Sequence, residues 1–273
     1  MKLPGVPIAV LDDLKGAALD AGMPRLALVG GVVRDWLLHR RHGRPWAGVP
    51  DLDWVVEGEA ARLASALQCR FGSQRVTAVQ EYGAFATVAL QLDGIPLDLA
   101  MARQETYPAP AENPVVRAGT LQADLARRDF TINAMALDLV AGELIDLHHG
   151  QKDLESGQLR LLHGTSVQDD PTRVIRAARY AARLGFQLAE ESREQIRSTV
   201  AKWPWAWSQG DAALSAPPAL ATRLRMELER LLEREPWPQA LDLLEQWEAL
   251  PLLDVQLQQD PRRTERLRWA RRL

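Results

Sequence analysis

The sequence is short of cysteine, of lysine, of surplus charge and of long apolar runs. Its single cysteine, Cys69, rules out an internal disulfide framework and a cysteine-built zinc cluster. Lys2, Lys15, Lys152 and Lys202 are the only lysines, so nearly all positive charge is arginine. Arginine suits bidentate phosphate recognition, although a genome-wide codon preference gives the same skew. Lys+Arg 33 against Asp+Glu 36 leaves a net charge of −3, which does not mark a bulk nucleic-acid binder but leaves room for a local basic face. No run approaches the roughly 20 apolar residues that span a bilayer. The N-terminal MKLPGVPIAV has one lysine and no sustained apolar core, so no signal peptide is visible. These absences point to a soluble cytoplasmic protein without a membrane partner. No internal repeat is present, and 273 residues suffice for one large or two small domains.

What is there is concentrated in residues 28–53, LVGGVVRDWLLHRRHGRPWAGVPDLD. Leu26–Val29 reads as a buried strand running into Gly30-Gly31, and Val32–Leu38 as a helix with Arg34 in its first turn. A strand, a glycine turn and a helix N-terminus form a place for an anion, because free backbone N–H groups point outward there. In Asp51-Leu52-Asp53-Trp54-Val55-Val56 the carboxylates alternate with apolar residues. On a strand they share one face, their backbones about 6–7 Å apart, close enough to hold divalent metal ions. A phosphate cradle beside metal-binding carboxylates is the minimum set for nucleotidyl transfer.

Along the chain, residues 8–21 read as a helix, 39–50 as a Gly/Pro-rich loop, 51–56 as the aspartate strand and 59–71 as an amphipathic helix. Strands are expected at 75–80, 84–92 and 95–103, with Asp93-Gly94 a strong hairpin turn. On the last of these Asp98 faces away from Leu97, Leu99 and Met101, a third outward carboxylate. Residues 107–119 read as a proline-rich loop and 134–147 as a further hairpin. Beyond about residue 165 the pattern turns helical. Asp170 as N-cap, Pro171 at the first helical position and Gly185 after the helix frame 171–184. Helices at 220–234 and 238–249 follow, with Trp203, Trp205 and Trp207 in the intervening loop placed to pack across it. The arginine-rich end, DPRRTERLRWARRL, reads by default as a solvated face.

Four separated motifs agree on a family. LVGGVVRDWLL with DLD, then LDLAMAR, RRDFTINAMAL and DDPTRVIRAARYAARLGF resemble the class II tRNA nucleotidyltransferases and bacterial poly(A) polymerases, over about residues 25–255. The resemblance implies an α/β head of the polymerase-beta kind over 1–165, a mixed sheet with flanking helices. An α-helical neck and the start of a body follow over 166–273. It implies transfer of C and/or A to the 3′ end of tRNA from CTP or ATP, without a nucleic-acid template. The alternatives are a poly(A) polymerase acting on RNA 3′ ends and a truncated RNA-binding remnant.

By the same resemblance, Asp51, Asp53 and Asp98 would bind two magnesium ions for an in-line displacement. Gly30, Gly31 and Arg34 would hold the triphosphate. Arg128, Asp129 and Asn133, with Arg127 a lesser candidate, would surround ribose and phosphates. Asp170 and Arg173 would read the base, the carboxylate accepting from the exocyclic amine of cytosine or adenine, with Arg176 near them. Arg223 and Glu227 match a helix that supports this reading element. Asp169 departs from the family's usual glutamate. The loop HRRHGRPWAGVP is longer than usual, and the chain stops soon after the neck-like helices. A minimal variant, a truncated product and one part of a split enzyme all fit that ending.

Overall fold

The computed structural model describes the chain except residues 1, 47, 84–85, 203–217, 235, 255 and 271–273, and a few further side chains near these gaps. The expected packing of Trp203, Trp205 and Trp207 lies outside the described residues. In chain order the elements begin α1 (Ile8–Asp20), β1 (Leu26–Val29), α2 (Gly31–His42), β2 (Asp53–Val56) and α3 (Ala60–Arg75). Next come β3 (Val76–Tyr82), β4 (Thr87–Leu92), β5 (Ile95–Met101), β6 (Arg103–Thr106), β7 (Val115–Ala118) and α4 (Leu121–Ala126). β8 (Met135–Asp138), β9 (Glu143–Asp146), α5 (Gly150–Glu155), β10 (Gln158–Leu159) and α6 (Ser166–Asp169) follow. The remainder is α7 (Thr172–Leu184), β11 (Gln187–Leu188), α8 (Glu190–Lys202), α9 (Pro218–Arg234), α10 (Trp237–Gln246) and α11 (Arg263–Ala270). No helix among the described residues is long and apolar enough to cross a membrane.

The chain forms two compact units. The first comprises Met1–Glu105 with Val116–Leu154, the second Thr106–Val115 with Glu155–Leu273. Where the helical pattern suggested a boundary near 165, the helical unit starts at 155 and also takes in ten residues from the middle of the chain.

The first unit is a seven-stranded mixed sheet in the order β3-β4-β5-β2-β1-β8-β9. Only the β2–β5 pair is parallel; its neighbours pair antiparallel. β1, with all four residues buried, is covered on both faces, as expected of an apolar central strand. Alternation then sorts the side chains. Ala27, Val29, Val55, Ala102 and Ala136 meet Leu121 and Leu125 of α4 on one face, while Leu26, Leu28 and Trp54 are buried on the other. Asp93 and Gly94 both have positive φ, 51° and 77°, giving the turn whose twist matches the β4–β5 hairpin.

Three local expectations are corrected. β2 begins at Asp53, so Asp51 lies on the preceding loop rather than on the strand. α2 continues to His42, where Gly43 at φ 63° ends it, which shortens the loop expected at 39–50. The loop expected at 107–119 ends in β7, which pairs with β6. α3 breaks at Gly72, close to the expected end at Phe71.

In the second unit α7 packs against α9 and α10. Segment 106–115 joins it through Ala111, whose N–H donates to the Gln168 carbonyl at 2.9 Å. The Ala111 carbonyl accepts from Arg223 Nη2 at 2.6 Å. In the C-terminal arginine run, Arg263 is tied to the Leu257 carbonyl and Glu245, and Arg266 pairs with Asp260 at 3.0 Å.

Trp54 tests this core. It is fully buried, and its indole N–H has no hydrogen-bond partner among the described residues. Trp54→Ala is expected to cost about 3–5 kcal/mol of unfolding free energy. Trp54→Phe, which loses no hydrogen bond, should cost clearly less, both read by urea denaturation.

Candidate active site

The topology brings the acidic candidates to one end of the first unit's sheet. In the parallel β2–β5 pair Asp53 stands opposite Asp98, and the ladder continues one step further, Asp98 N–H donating to the Leu52 carbonyl at 3.0 Å. Residues in register point to the same side. Asp53 shares its side with Val55, and Asp98 with Ala102, so both carboxylates stand at the open end of the face that α4 covers. Both are exposed, as is Asp51 on the loop just before them.

Their electrostatics record this crowding. Although Asp53 reaches solvent, the protein packed around its carboxyl removes part of its hydration and pushes it above the usual carboxylate range; Asp98 and Asp51 push it further, and Arg128 pulls it back. Asp98 is raised by burial and by Asp51. Like charges held together favour a cation between them. The donor set is entirely oxygen, which suits a hard ion that takes one or two carboxylates and completes its shell with water or phosphate. Among the described residues no three His, Cys, Asp or Glu side chains already close around one point. Two carboxylates in register fit a magnesium ion that completes its shell with water or phosphate.

Beside the carboxylates, β1 runs into Gly30, whose φ of 77° and ψ of −137° are open only to glycine. α2 starts at Gly31 with its first N–H groups at this end of the sheet. Arg128 presses on the turn: a Cβ on Gly30 would lie 3.0 Å from Arg128 Nη1. Arg128 Nη2 donates to Asp124 Oδ2 at 2.9 Å.

Arg34 occupies a different place from the one its sequence position suggested. It is buried behind the turn, 3% exposed. Its Nε and Nη2 donate to Asp35 at 2.8 and 3.0 Å, and Nη1 donates to Asn133 Oδ1 at 2.7 Å. Asn133 Nδ2 in turn donates to Asp129 Oδ1 at 3.0 Å, which also accepts the Phe130 N–H at 2.8 Å. Arg34, Asn133 and Asp129 are thus links of one buried chain connecting the first turn of α2 to the segment after α4.

The remaining candidates lie in the second unit. α7 starts one residue later than expected, with Pro171 rather than Asp170 at its N-cap, and Asp170 Oδ1 accepts the N–H and the hydroxyl of Thr172 at 3.2 and 2.8 Å. Arg223 Nη1 lies 3.9 Å from the same oxygen. Arg173 bonds back through its N–H to the Asp170 carbonyl at 3.0 Å. Its side chain is buried, with Nη1 3.5 Å from the Ser166 carbonyl. Arg176 pairs with Glu227 at 3.1 Å, and Glu227 also accepts from Arg179 and Arg230. A separate groove of about 1040 Å³ in the first unit is lined by Lys15, Trp36, Arg40 and Leu139 and contains none of the candidate residues.

Comparison with known proteins gives this geometry a family. Residues 26–160 match the poly A polymerase head domain. An A-adding tRNA nucleotidyltransferase of Aquifex aeolicus is 41% identical over 179 residues, 64% of this chain and 20% of the relative. A CC-adding tRNA nucleotidyltransferase of Deinococcus radiodurans is 41% identical over 208 residues, 73% of this chain and 52% of the relative. A solved tRNA nucleotidyltransferase complexed with a primer tRNA and an incoming ATP analog superposes with a TM-score of 0.70 at 32% identity, covering 90% of this chain and 65% of that one. The chain belongs to the class II tRNA nucleotidyltransferase family. It spans between 20% and 52% of the length of these two curated relatives.

Within this family member, three supporting residues were not singled out by sequence patterning. Asp124 carries a local signal, lying three and four residues before Arg127 and Arg128 on a helix. Glu105 and Arg179 are hidden because Arg127 and Glu227, which they bind, are 22 and 48 residues away.

The raised Asp53 carboxyl yields a test. A carboxylate whose folded pKa lies above its unfolded value weakens the fold at neutral pH, and the penalty is relieved as pH falls through the raised pKa. In metal-free buffer Asp53→Asn should therefore melt above the wild type at pH 7–8. The gap should close on acidification toward the ordinary value of 3.8, followed by differential scanning fluorimetry.

Proposed function

We propose that the chain is an RNA 3′-terminal nucleotidyltransferase that adds C and/or A to tRNA 3′ ends from CTP and ATP, without a nucleic-acid template. The observation that carries the proposal is the pairing of Asp53 with Asp98 beside the glycine turn and Arg128. Family membership and the names of the relatives support it. The acceptor 3′-hydroxyl attacks the α-phosphorus of the nucleotide and gives its proton to water, a new P–O bond forms, the bond from the α-phosphorus to the bridging oxygen breaks, and pyrophosphate leaves with the electron pair.

Asp51, Asp53 and Asp98 would hold two magnesium ions. Ions held there would supply Lewis acidity toward the attacking hydroxyl and the leaving pyrophosphate. The N–H groups at Gly30-Gly31 and the start of α2 hold triphosphate oxygens. Arg128 contributes its charge from beside the turn. Asp129, oriented by Asn133, faces the ribose. Arg34 acts on this site through Asn133 rather than by touching phosphate, since its guanidinium is buried against Asp35 and Asn133.

Asp170 and Arg173 select the base, with Arg176 held near them by Glu227. Among the described residues the hydrogen bonds of Asp170 use Oδ1, so Oδ2 remains for an exocyclic amine. Guanine and uracil present a carbonyl there and are refused.

Extension assays with each nucleotide separately, on tRNA lacking CCA, on tRNA ending in CC and on unstructured RNA, test this reading. Incorporation of C and A on tRNA is expected. Long adenylate tails on unstructured RNA would instead indicate a poly(A) polymerase. Asp53→Ala should stay folded and lose turnover by about a thousand-fold or more. Asp170→Ala should reduce discrimination against GTP and UTP by about 10–100-fold, and GTP or UTP used as well as CTP by the wild type would refute base reading.

A further inference from the structure

Arg128 stands where a triphosphate-binding cation is needed, and the question is what keeps it there. It lies beyond the helical backbone of α4, which ends at Ala126. Its Nε is buried without a hydrogen-bond partner among the described residues, and Nη1 faces Gly30. Among the described residues, the guanidinium is held by Nη2 donating to Asp124 Oδ2 at 2.9 Å.

Asp124 is completely buried. Its Oδ1 accepts Arg127 Nε and Nη2 at 3.0 and 2.7 Å, while Oδ2 serves Arg128. Arg127 Nη1 reaches on to Glu105 Oε1 at 2.9 Å, which also pairs with Arg103 at 3.0 Å. Alternating charges thus run from β6 through Arg103, Glu105, Arg127 and Asp124 to Arg128. Three arginines and two carboxylates leave one positive charge over, and Arg128 is the end of the series that acts on Asp53.

We infer that Asp124 is a positioning residue of the nucleotide site, clamping both arginines of the RRD segment so that the Arg128 guanidinium is held between the glycine turn and Asp53. The short, buried carboxylate suits the task. Using one oxygen for each arginine, it fixes Arg128 from a single side and leaves Nη1 turned to the site. Burial pushes the Asp124 pKa up, but attraction and hydrogen bonding from Arg128 and Arg127 outweigh it and hold the group below the usual carboxylate range. The clamp therefore stays ionised throughout the neutral range.

The inference rests on the nucleotidyltransferase reading, yet it is read by nucleotide binding as well as by transfer. With a fluorescent ATP analogue and no RNA, Asp124→Asn should weaken binding by about 10–100-fold, as expected when the partner that orients a binding group is removed. In extension assays the KM for the nucleotide should rise by a similar factor while the KM for RNA stays within about twofold. A double-mutant cycle separates this from general support of the fold. If Asp124 acts through Arg128, adding Asp124→Asn to Arg128→Ala should change nucleotide binding by less than about twofold.

Asp124→Glu is the second variant, for use should Asp124→Asn fail to fold. It keeps the charge, displaces the carboxylate by one methylene, and should shift nucleotide binding in the same direction by a smaller factor. Unchanged nucleotide affinity in a folded Asp124 variant, or effects that multiply in the cycle, would overturn the clamp. A wild type that binds the nucleotide and never transfers it would overturn the proposed reaction while the binding measurements still decide on Asp124.

Discussion

The constraint on which this structure turns is the in-register parallel pairing of β2 with β5, which forces two aspartates to stand side by side. Backbone hydrogen bonds set that register and side chains live with it. A slip of one residue would bring Leu97 or Leu99 next to Asp53 and turn the apolar side of β5 outward. Burial of Trp54, Leu97 and Leu99 on the opposite face opposes any such slip. The core therefore supplies the stability that holds two like charges in a position each would otherwise leave, the usual compromise at a functional site. The glycine turn, the α2 N-terminus and Arg128 surround this pair with the opposite sign.

Much of this was legible in the sequence because its causes are local. An apolar run ending in two glycines is a strand and a turn whatever surrounds it, and Asp93-Gly94 between alternating runs fixes a hairpin without help from elsewhere. The carboxylates Asp53 and Asp98 announced themselves by alternating with buried residues. Long-range causes were not legible. β7 is four exposed residues that become a strand through pairing with β6. Segment 106–115 joins the helical unit through bonds to Gln168 and Arg223, far along the chain. Arg34, in the first turn of a helix beside glycines, reads as a phosphate ligand until Asn133, 99 residues away, takes one of its nitrogens.

The same contrast explains why the family motifs are longer than their reactive residues. In RRDFTIN, Arg128 faces the carboxylates, while Asp129 and Asn133 bond to each other and onward to Arg34. In DDPTRVIRAARY, Asp170 accepts the N–H of Thr172, the first residue of the helix, and Arg176 and Arg179 share Glu227 with Arg230. Each motif carries its own supporting contacts, so its residue pattern follows from orienting a few groups precisely as well as from touching a ligand.

Those contacts also bear on the arginine-rich composition. A codon preference is enough to explain arginines scattered over a surface, but Arg34, Arg127 and Arg128 are not scattered. Arg34 uses three nitrogens on two acceptors, and Arg127 bridges Glu105 and Asp124. Arg128 is held by one nitrogen while another faces the turn. A lysine ammonium carries its three donors on one atom, so it lacks the reach and the planar fork with which a guanidinium joins separated partners. It also gives up its charge more readily when buried. At these positions the planar guanidinium suits the geometry, because the same group serves as a strut inside the fold and, in Arg128, also turns a nitrogen to the glycine turn.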